Sequence, residues 1–212
     1  MSNLNPEKAL IFRIVHVDCV PWILRHGLHC RTSAKQDPAY INIGSKELIS
    51  KRARKIVPIP PGGTLSDYVP FYFTPFSIMM YNIHTGYGGI TRHENKDIVI
   101  FVSSLHRIKE LGLPFLFTNQ HAYPPDTEFF SNLADLSRID WKLLQSRNFK
   151  TSDADPGKQL RYQAEALIHG HVTLDALQGI GCHSAEVRQK HESIIAAEGL
   201  NITVKTTPTW YF

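Results

Sequence analysis

Residues 9–17 (Ala-Leu-Ile-Phe-Arg-Ile-Val-His-Val) form an apolar, β-branched block that predicts a buried strand. Asp18 is placed to cap a short helix over 19–26, which Gly27 stops. Residues 30–44 lack periodicity and read as loop; Ser45 is placed to cap a basic helix over 46–54. Val57-Pro-Ile-Pro-Pro-Gly-Gly63 has to be irregular, because prolines remove amide donors and glycines permit tight turns. Strands are predicted over 69–73, 97–102, 115–118 and 162–169, with a helix from Pro75 to about His84 and a shorter one over 104–111. The glycine-rich stretch 85–89 reads as a flexible loop. Residues 126–147 read as helix in two pieces, Asp140 capping the second, and 152–157 as an exposed loop. The last third predicts a short helix over 173–178, a strand over 179–183, a helix over 185–198 and a strand over 200–207.

Strands and helices thus interleave without the regular spacing of βαβ units. This pattern predicts an α+β fold, a central mixed sheet with helices packed on it, in one domain over residues 1–212. No Gly-x-Gly-x-x-Gly follows a strand and no Walker sequence is present, which argues against a doubly wound dinucleotide fold or a P-loop enzyme.

Composition narrows the class. A 212-residue chain with 42% hydrophobic and 20% charged residues has enough apolar surface for a core, which argues against a disordered chain. Cys19, Cys30 and Cys182 are too scattered for a disulfide framework, no apolar run follows the N-terminus, and no stretch approaches a membrane span. A protein of a reducing compartment, cytoplasmic and free of membrane, is expected. The net charge of +4 permits a nucleic-acid partner without requiring one. Lys46, Lys51, Arg52, Arg54 and Lys55 crowd ten residues against Glu47 alone, as a solvated helix face would, or a surface that meets phosphates of DNA or a dinucleotide.

Candidate chemistry is uneven. His169-x-His171, Cys182-His183 and the group His26, His29 and Cys30 hold ligand-type side chains, but no four-ligand zinc spacing exists and no metal site is expected. No Gly-x-Ser-x-Gly elbow or thiol motif supports nucleophilic catalysis. Gln163 and Glu165 lie two apart on a predicted strand, hence on one face, and form either a functional pair or a solvated edge. The arginine cluster runs through the Pro-Gly loop into Asp67-Tyr-Val-Pro-Phe-Tyr-Phe73. There Phe71 and Phe73 share a core-facing side, while Tyr72 faces the other way as a candidate for base stacking.

Taken together these segments resemble one family. Phe12-Arg-Ile-Val-His16, Ile23-Leu-x-x-Gly27, Val57-Pro-x-Pro-Pro-Gly-Gly63, the Asp67–Phe73 strand, Phe117-Thr-Asn-Gln-His121, Gln163-Ala-Glu165 and Trp210-Tyr-Phe212 occur in the order seen in DarT, the DNA ADP-ribosyltransferase toxins of DarT–DarG systems. The resemblance, to the thymidine-modifying branch, spans nearly the whole chain. It implies an ADP-ribosyltransferase fold whose split mixed β-sheet grips NAD in a cleft, with single-stranded DNA as acceptor and a macrodomain antitoxin as partner. Nothing in the sequence suggests an obligate interface, and a monomer is expected. The family's catalytic glutamate falls on Glu165 and its catalytic arginine on Arg52, with Arg54 close by. NAD contacts fall on Arg13, Ile14, Val15, Trp22, Arg52, Tyr72 and Gln163, although many relatives carry histidine where Arg13 stands and His16 lies three residues on. DNA contacts fall on Tyr72, His121, Arg54 and Met79. Residues 149–158 occupy the place of the substrate-recognition loop, and 40–50 that of the segment closing over NAD. A guanosine, RNA or protein acceptor, or a non-catalytic nucleic-acid-binding module, is the alternative.

Overall fold

A computed structural model describes residues 4–212. In chain order its elements are β1 (Leu10–His16), α1 (Val20–His26), β2 (Leu28–His29), α2 (Lys46–Arg52), β3 (Tyr68–Tyr72), α3 (Ile78–Thr85), β4 (Ile98–Ser104), α4 (Leu105–Glu110), β5 (Phe115–Thr118) and β6 (Phe129–Phe130). They continue with α5 (Trp141–Ser146), α6 (Lys158–Arg161), β7 (Glu165–His169), β8 (His171–Val172), β9 (Gly179–Cys182), α7 (Ala185–Ala197) and β10 (Thr203–Thr206). Eight strands form one sheet in the order β10-β9-β4-β1-β3-β7-β5-β6, and β2 pairs with β8 in a separate ribbon. Among the described residues only β9 and β10 run parallel, so the sheet is mixed. The core lies on the apolar central strands; Ile11, Val99, Phe101, Phe117 and Ile168 are buried there with Phe71 and Phe73.

The sheet is split in the middle. β1 and β4 pair over their full length, from Leu10↔Ser104 to His16↔Ile98, and β3 and β7 from Tyr68↔His169 to Tyr72↔Glu165. Between β1 and β3 the register is carried by Phe12↔Tyr72. The cause is visible in the sequence of β3. Pro70 has no amide to offer, and its carbonyl accepts from the Arg13 guanidinium at 3.0 Å instead of from a strand. The two half-sheets therefore part on the Pro70 side of the Phe12–Tyr72 pair.

Several elements begin or end for reasons other than those expected. Asp18 does not cap α1: His16 Nδ1 accepts the Asp18 amide, and a 3-10 turn over Val17–Cys19 leads into the helix. α3 starts at Ile78 with Ser77 as its cap, not at Pro75. The first piece of 126–147 is the short strand β6 followed by a 3-10 turn over Leu133–Arg138; Asp140 caps the second piece as expected. Residues 173–178 contain only a 3-10 turn. Ser45 caps α2 through the Leu48 amide, and Gly27 ends α1 at φ 76°. A Cβ on Gly27 would lie 2.3 Å from the Val172 carbonyl, so glycine also lets the β2–β8 ribbon approach.

The predicted strand 162–169 starts late. α6 and the turn after it occupy 158–164, and β7 begins at Glu165. The argument that Gln163 and Glu165 share a strand face therefore fails. Arg161 holds this turn by pairing with Asp155 at 2.8 Å, a contact beyond the range of strand periodicity.

Candidate active site

The split opens into a cleft of about 220 Å³ lined by residues from both half-sheets and from the 36–52 segment above them. Glu165 sits at its base. Register places it opposite Tyr72, which is itself opposite Phe12 across the split. Glu165 is 2% exposed. A carboxylate buried alone would bind a proton. Here Arg52, at the last turn of α2, sets Nη1 3.2 Å from Oε1 and 2.8 Å from Oε2, and the Ala122 amide donates to Oε1 at 3.0 Å. Burial pushes the Glu165 pKa up; Arg52, His121 and the Ala122 amide outweigh it and hold the pKa below the usual carboxylate value. The group is an anion at neutral pH.

Arg52 engages Glu165 through one nitrogen only. Its Nη2 is buried without a partner, and so is Nε of Arg13. Both residues line the cleft. Buried donors left unmatched are costly, so this pair marks a place shaped for acceptor oxygens or nitrogens. Burial, then the Glu165 charge, pushes the Tyr72 phenol up to about 12, which keeps it a neutral hydroxyl. Burial lowers the His121 pKa, and its Nδ1 accepts from the Tyr123 amide at 3.1 Å. An amide can only donate, so the proton of the neutral ring resides on Nε2.

Arg13, Ile14, Trp22, Arg52, Tyr72, Met79, His121 and Glu165 all border the cleft, as do Tyr40, Asn42 and Ser45 to Ile49 in part from the segment expected to close over it. Three expected residues do not. Val15 is buried in the core at 1% exposure. The Gln163 amide donates to the Gln159 carbonyl at 3.0 Å, because its backbone belongs to the turn after α6. Arg54 lies exposed beyond the end of α2. His16 is likewise remote from the cleft, its ring against His93. Of the histidine groups, His29 lines the cleft and stacks on His171 at 4.1 Å, while Gly170 at φ 71° breaks the strand between His169 and His171. Trp210 meets Phe12 edge-on, and the Tyr211 hydroxyl reaches the Ile98 and Gly181 carbonyls. The aromatic terminus thus closes the core. Phe149, at the start of the 149–158 loop, packs on Phe76, Tyr81, Tyr162 and Phe212.

One contributor escaped sequence reasoning: the Ala122 amide is a backbone group and carries no side-chain signal. Tyr40, at the start of the segment expected to close over the cleft, stands with its hydroxyl 3.5 Å from Arg13 Nη2.

A family model described as ssDNA thymidine ADP-ribosyltransferase, DarT, matches residues 12–212. The chain belongs to the DarT family. A DNA ADP-ribosyl transferase of Escherichia coli O127:H6 (strain E2348/69 / EPEC) is 52% identical over 211 residues, covering 100% of this chain and 97% of that relative. Thermus sp. 2.9 DarT in complex with ADP-ribosylated ssDNA superposes with a TM-score of 0.90 at 30% identity, over 98% of each chain. The same Thermus DarT in complex with NAD+ superposes at 0.85 and 31%, over 98% of this chain and 99% of that one. The split mixed sheet described above is therefore the DarT fold, as the sequence resemblance implied.

Proposed function

We propose that the cleft between the half-sheets is where this DarT-family enzyme transfers ADP-ribose from NAD to thymidine in single-stranded DNA, with Glu165 and Arg52 as its catalytic pair. The observation that carries the assignment is the buried Arg52–Glu165 contact at the base of the split. The donor set fits a dinucleotide. Arg13 and Arg52 offer unmatched N–H groups, Tyr72 a neutral hydroxyl, and Trp22 and Ile14 an apolar wall.

NAD supplies a ribose already joined to a good leaving group, nicotinamide. The charge on Glu165 stabilises the positive charge that develops on that ribose as the glycosidic bond breaks, and its second oxygen can orient a ribose hydroxyl. The acceptor nitrogen of thymine carries a proton between two carbonyls. A guanidinium remains protonated in proteins, so that proton passes to solvent water as the nitrogen–ribose bond forms and nicotinamide departs, and Arg52 serves the base by donating from Nη2 to the developing anion. His121 and Met79 border the same space and are assigned to the DNA side, with Tyr72 between the two substrates. Arg54 follows the DNA backbone outside the cleft. Family membership further supports a macrodomain antitoxin as regulator and a cytoplasmic site of action.

The test is a mass measurement. Protein, NAD and oligonucleotides, single- and double-stranded, each lacking one base, are incubated together with RNA and protein controls. The expected product is one ADP-ribose added only to single strands containing thymidine, and Glu165→Gln lowers the rate at least about 10³-fold. Addition to guanosine, RNA or protein, or full activity of Glu165→Gln, refutes the assignment.

A further inference from the structure

The ladder between β5 and β7 runs from Phe115↔Ile168 to Phe117↔Ala166 and then stops. The next amide of β7 belongs to Glu165, and it donates to the Thr118 side-chain oxygen at 3.1 Å. The Thr118 hydroxyl in turn donates to the Gln120 carbonyl at 2.6 Å. Thr118 is 0% exposed, so no water substitutes for either bond. A side chain thus takes the place of a backbone partner at the point where the chain leaves the sheet. Freed from the ladder, residues 119–122 turn back over Glu165. That turn is fixed from two further sides: the His121 amide donates to the Leu160 carbonyl at 2.9 Å, and the Thr127 hydroxyl donates to the His121 carbonyl at 2.8 Å. It brings the Ala122 amide to Glu165 Oε1 at 3.0 Å and seats His121 on the cleft.

We propose that the Thr118 hydroxyl is a positioning group of the active site: it ties the first amide of β7 to the turn that delivers the Ala122 N–H and His121. This rests on the assignment of Glu165 as catalytic. Thr118 touches no substrate; it fixes the distance between the carboxylate and the donors around it, and small displacements of reacting groups cost large factors in rate.

The experiment compares Thr118→Ser, Thr118→Ala and Thr118→Val on oligonucleotide modification, with KM for NAD and thermal midpoints measured for each. Serine and alanine lose the same methyl group, so their difference isolates the hydroxyl. Thr118→Ser is expected within about threefold of wild-type kcat, and the Ala and Val variants about 10- to 100-fold down in kcat with KM for NAD within about threefold. Equal kcat for the Ser and Ala variants overturns the proposal, and so does a hydroxyl-free pair that fails to fold while Thr118→Ser folds. Should Glu165→Gln retain activity, the assignment of Glu165 falls first; should it be dead while Thr118→Ala matches Thr118→Ser, only the role of Thr118 falls.

Discussion

Arg52 has two tasks, and its guanidinium divides them. Nη1 neutralises Glu165, while Nη2 remains buried and unmatched. A lysine at this position retains a charge for Glu165 but has no second, rigidly placed donor. Arg52→Lys is accordingly expected to bind NAD within about fivefold of wild type while kcat falls about 10²-fold, a split read from isothermal titration and single-turnover rates. Turnover unchanged in Arg52→Lys would show that the positive charge alone matters. Glu165 links the same contact to acid stability. Its pKa is held below the ordinary value, so in the interval between the two values the unfolded chain binds the extra proton. The Arg52–Glu165 contribution is complete above pH 4.5, the ordinary value, and is lost as pH falls through the folded one. Denaturant unfolding followed from pH 6 to pH 3 is expected to show this loss in wild type and a flatter acid limb in Glu165→Gln. An unchanged limb would mean that the pair does not bias protonation.

At the scale of elements, the most consequential is α2. It spans seven residues and none of them is buried, so the helix draws little from packing. Its Ser45 cap and the Glu47–Lys51 pair, at 2.6 Å, hold it locally. Removing the cap costs about 1 kcal/mol of helix stability. Ser45→Ala is therefore expected to lower the global melting point little, yet to loosen Arg52 and raise KM for NAD several-fold; hydrogen exchange over 46–52 reports the fraying directly. Unchanged exchange there would assign the helix to tertiary contacts instead. This element was legible from its sequence, since a serine placed to cap a basic helix is a local signal. So were β1, β4 and α7. The turn over 158–164 was not, because Tyr162 to His169 is apolar enough for a strand and the residues that bend it, Asp155 and Asp140, act through Arg161 from six and 21 positions away.

For the whole molecule, the decisive feature is a sheet that is continuous in order but parted at its centre. Arg13 bridges the parting by holding the Pro70 carbonyl, and the cleft lies where the two halves separate. Both halves belong to one packed core, so calorimetry is expected to show one cooperative unfolding transition with equal calorimetric and van't Hoff enthalpies. Two resolved transitions would divide the chain at the split. The protein is also expected to weaken in mild acid. His16, His29, His121 and His191 are each held below the ordinary histidine value of 6.5, chiefly by burial. Below that value the unfolded chain binds protons that the folded chain refuses, so stability is full above pH 6.5 and declines as pH falls toward the folded values. A melting point that stays flat from pH 7.5 to pH 5 would contradict this.

Local pattern alone determined the alternation of strands and short helices, the core-facing side of Phe71 and Phe73, the cap at Ser45 and the stop at Gly27. Each of these depends on neighbours a few residues away, where backbone dihedrals and side-chain periodicity act. The family order of motifs further singled out Arg52, His121 and Glu165. Only the tertiary structure decided that Arg52 meets Glu165 across 113 positions of chain, that the Ala122 amide completes the carboxylate's shell, and that Gln163 and Val15 stay out of the cleft. Those outcomes follow from strand register, from a proline that opens the sheet, and from burial, which turns an ordinary carboxylate and guanidinium into an isolated charged pair. The proline can be read from the sequence; the register and the burial are not encoded in the spacing of residues along the chain.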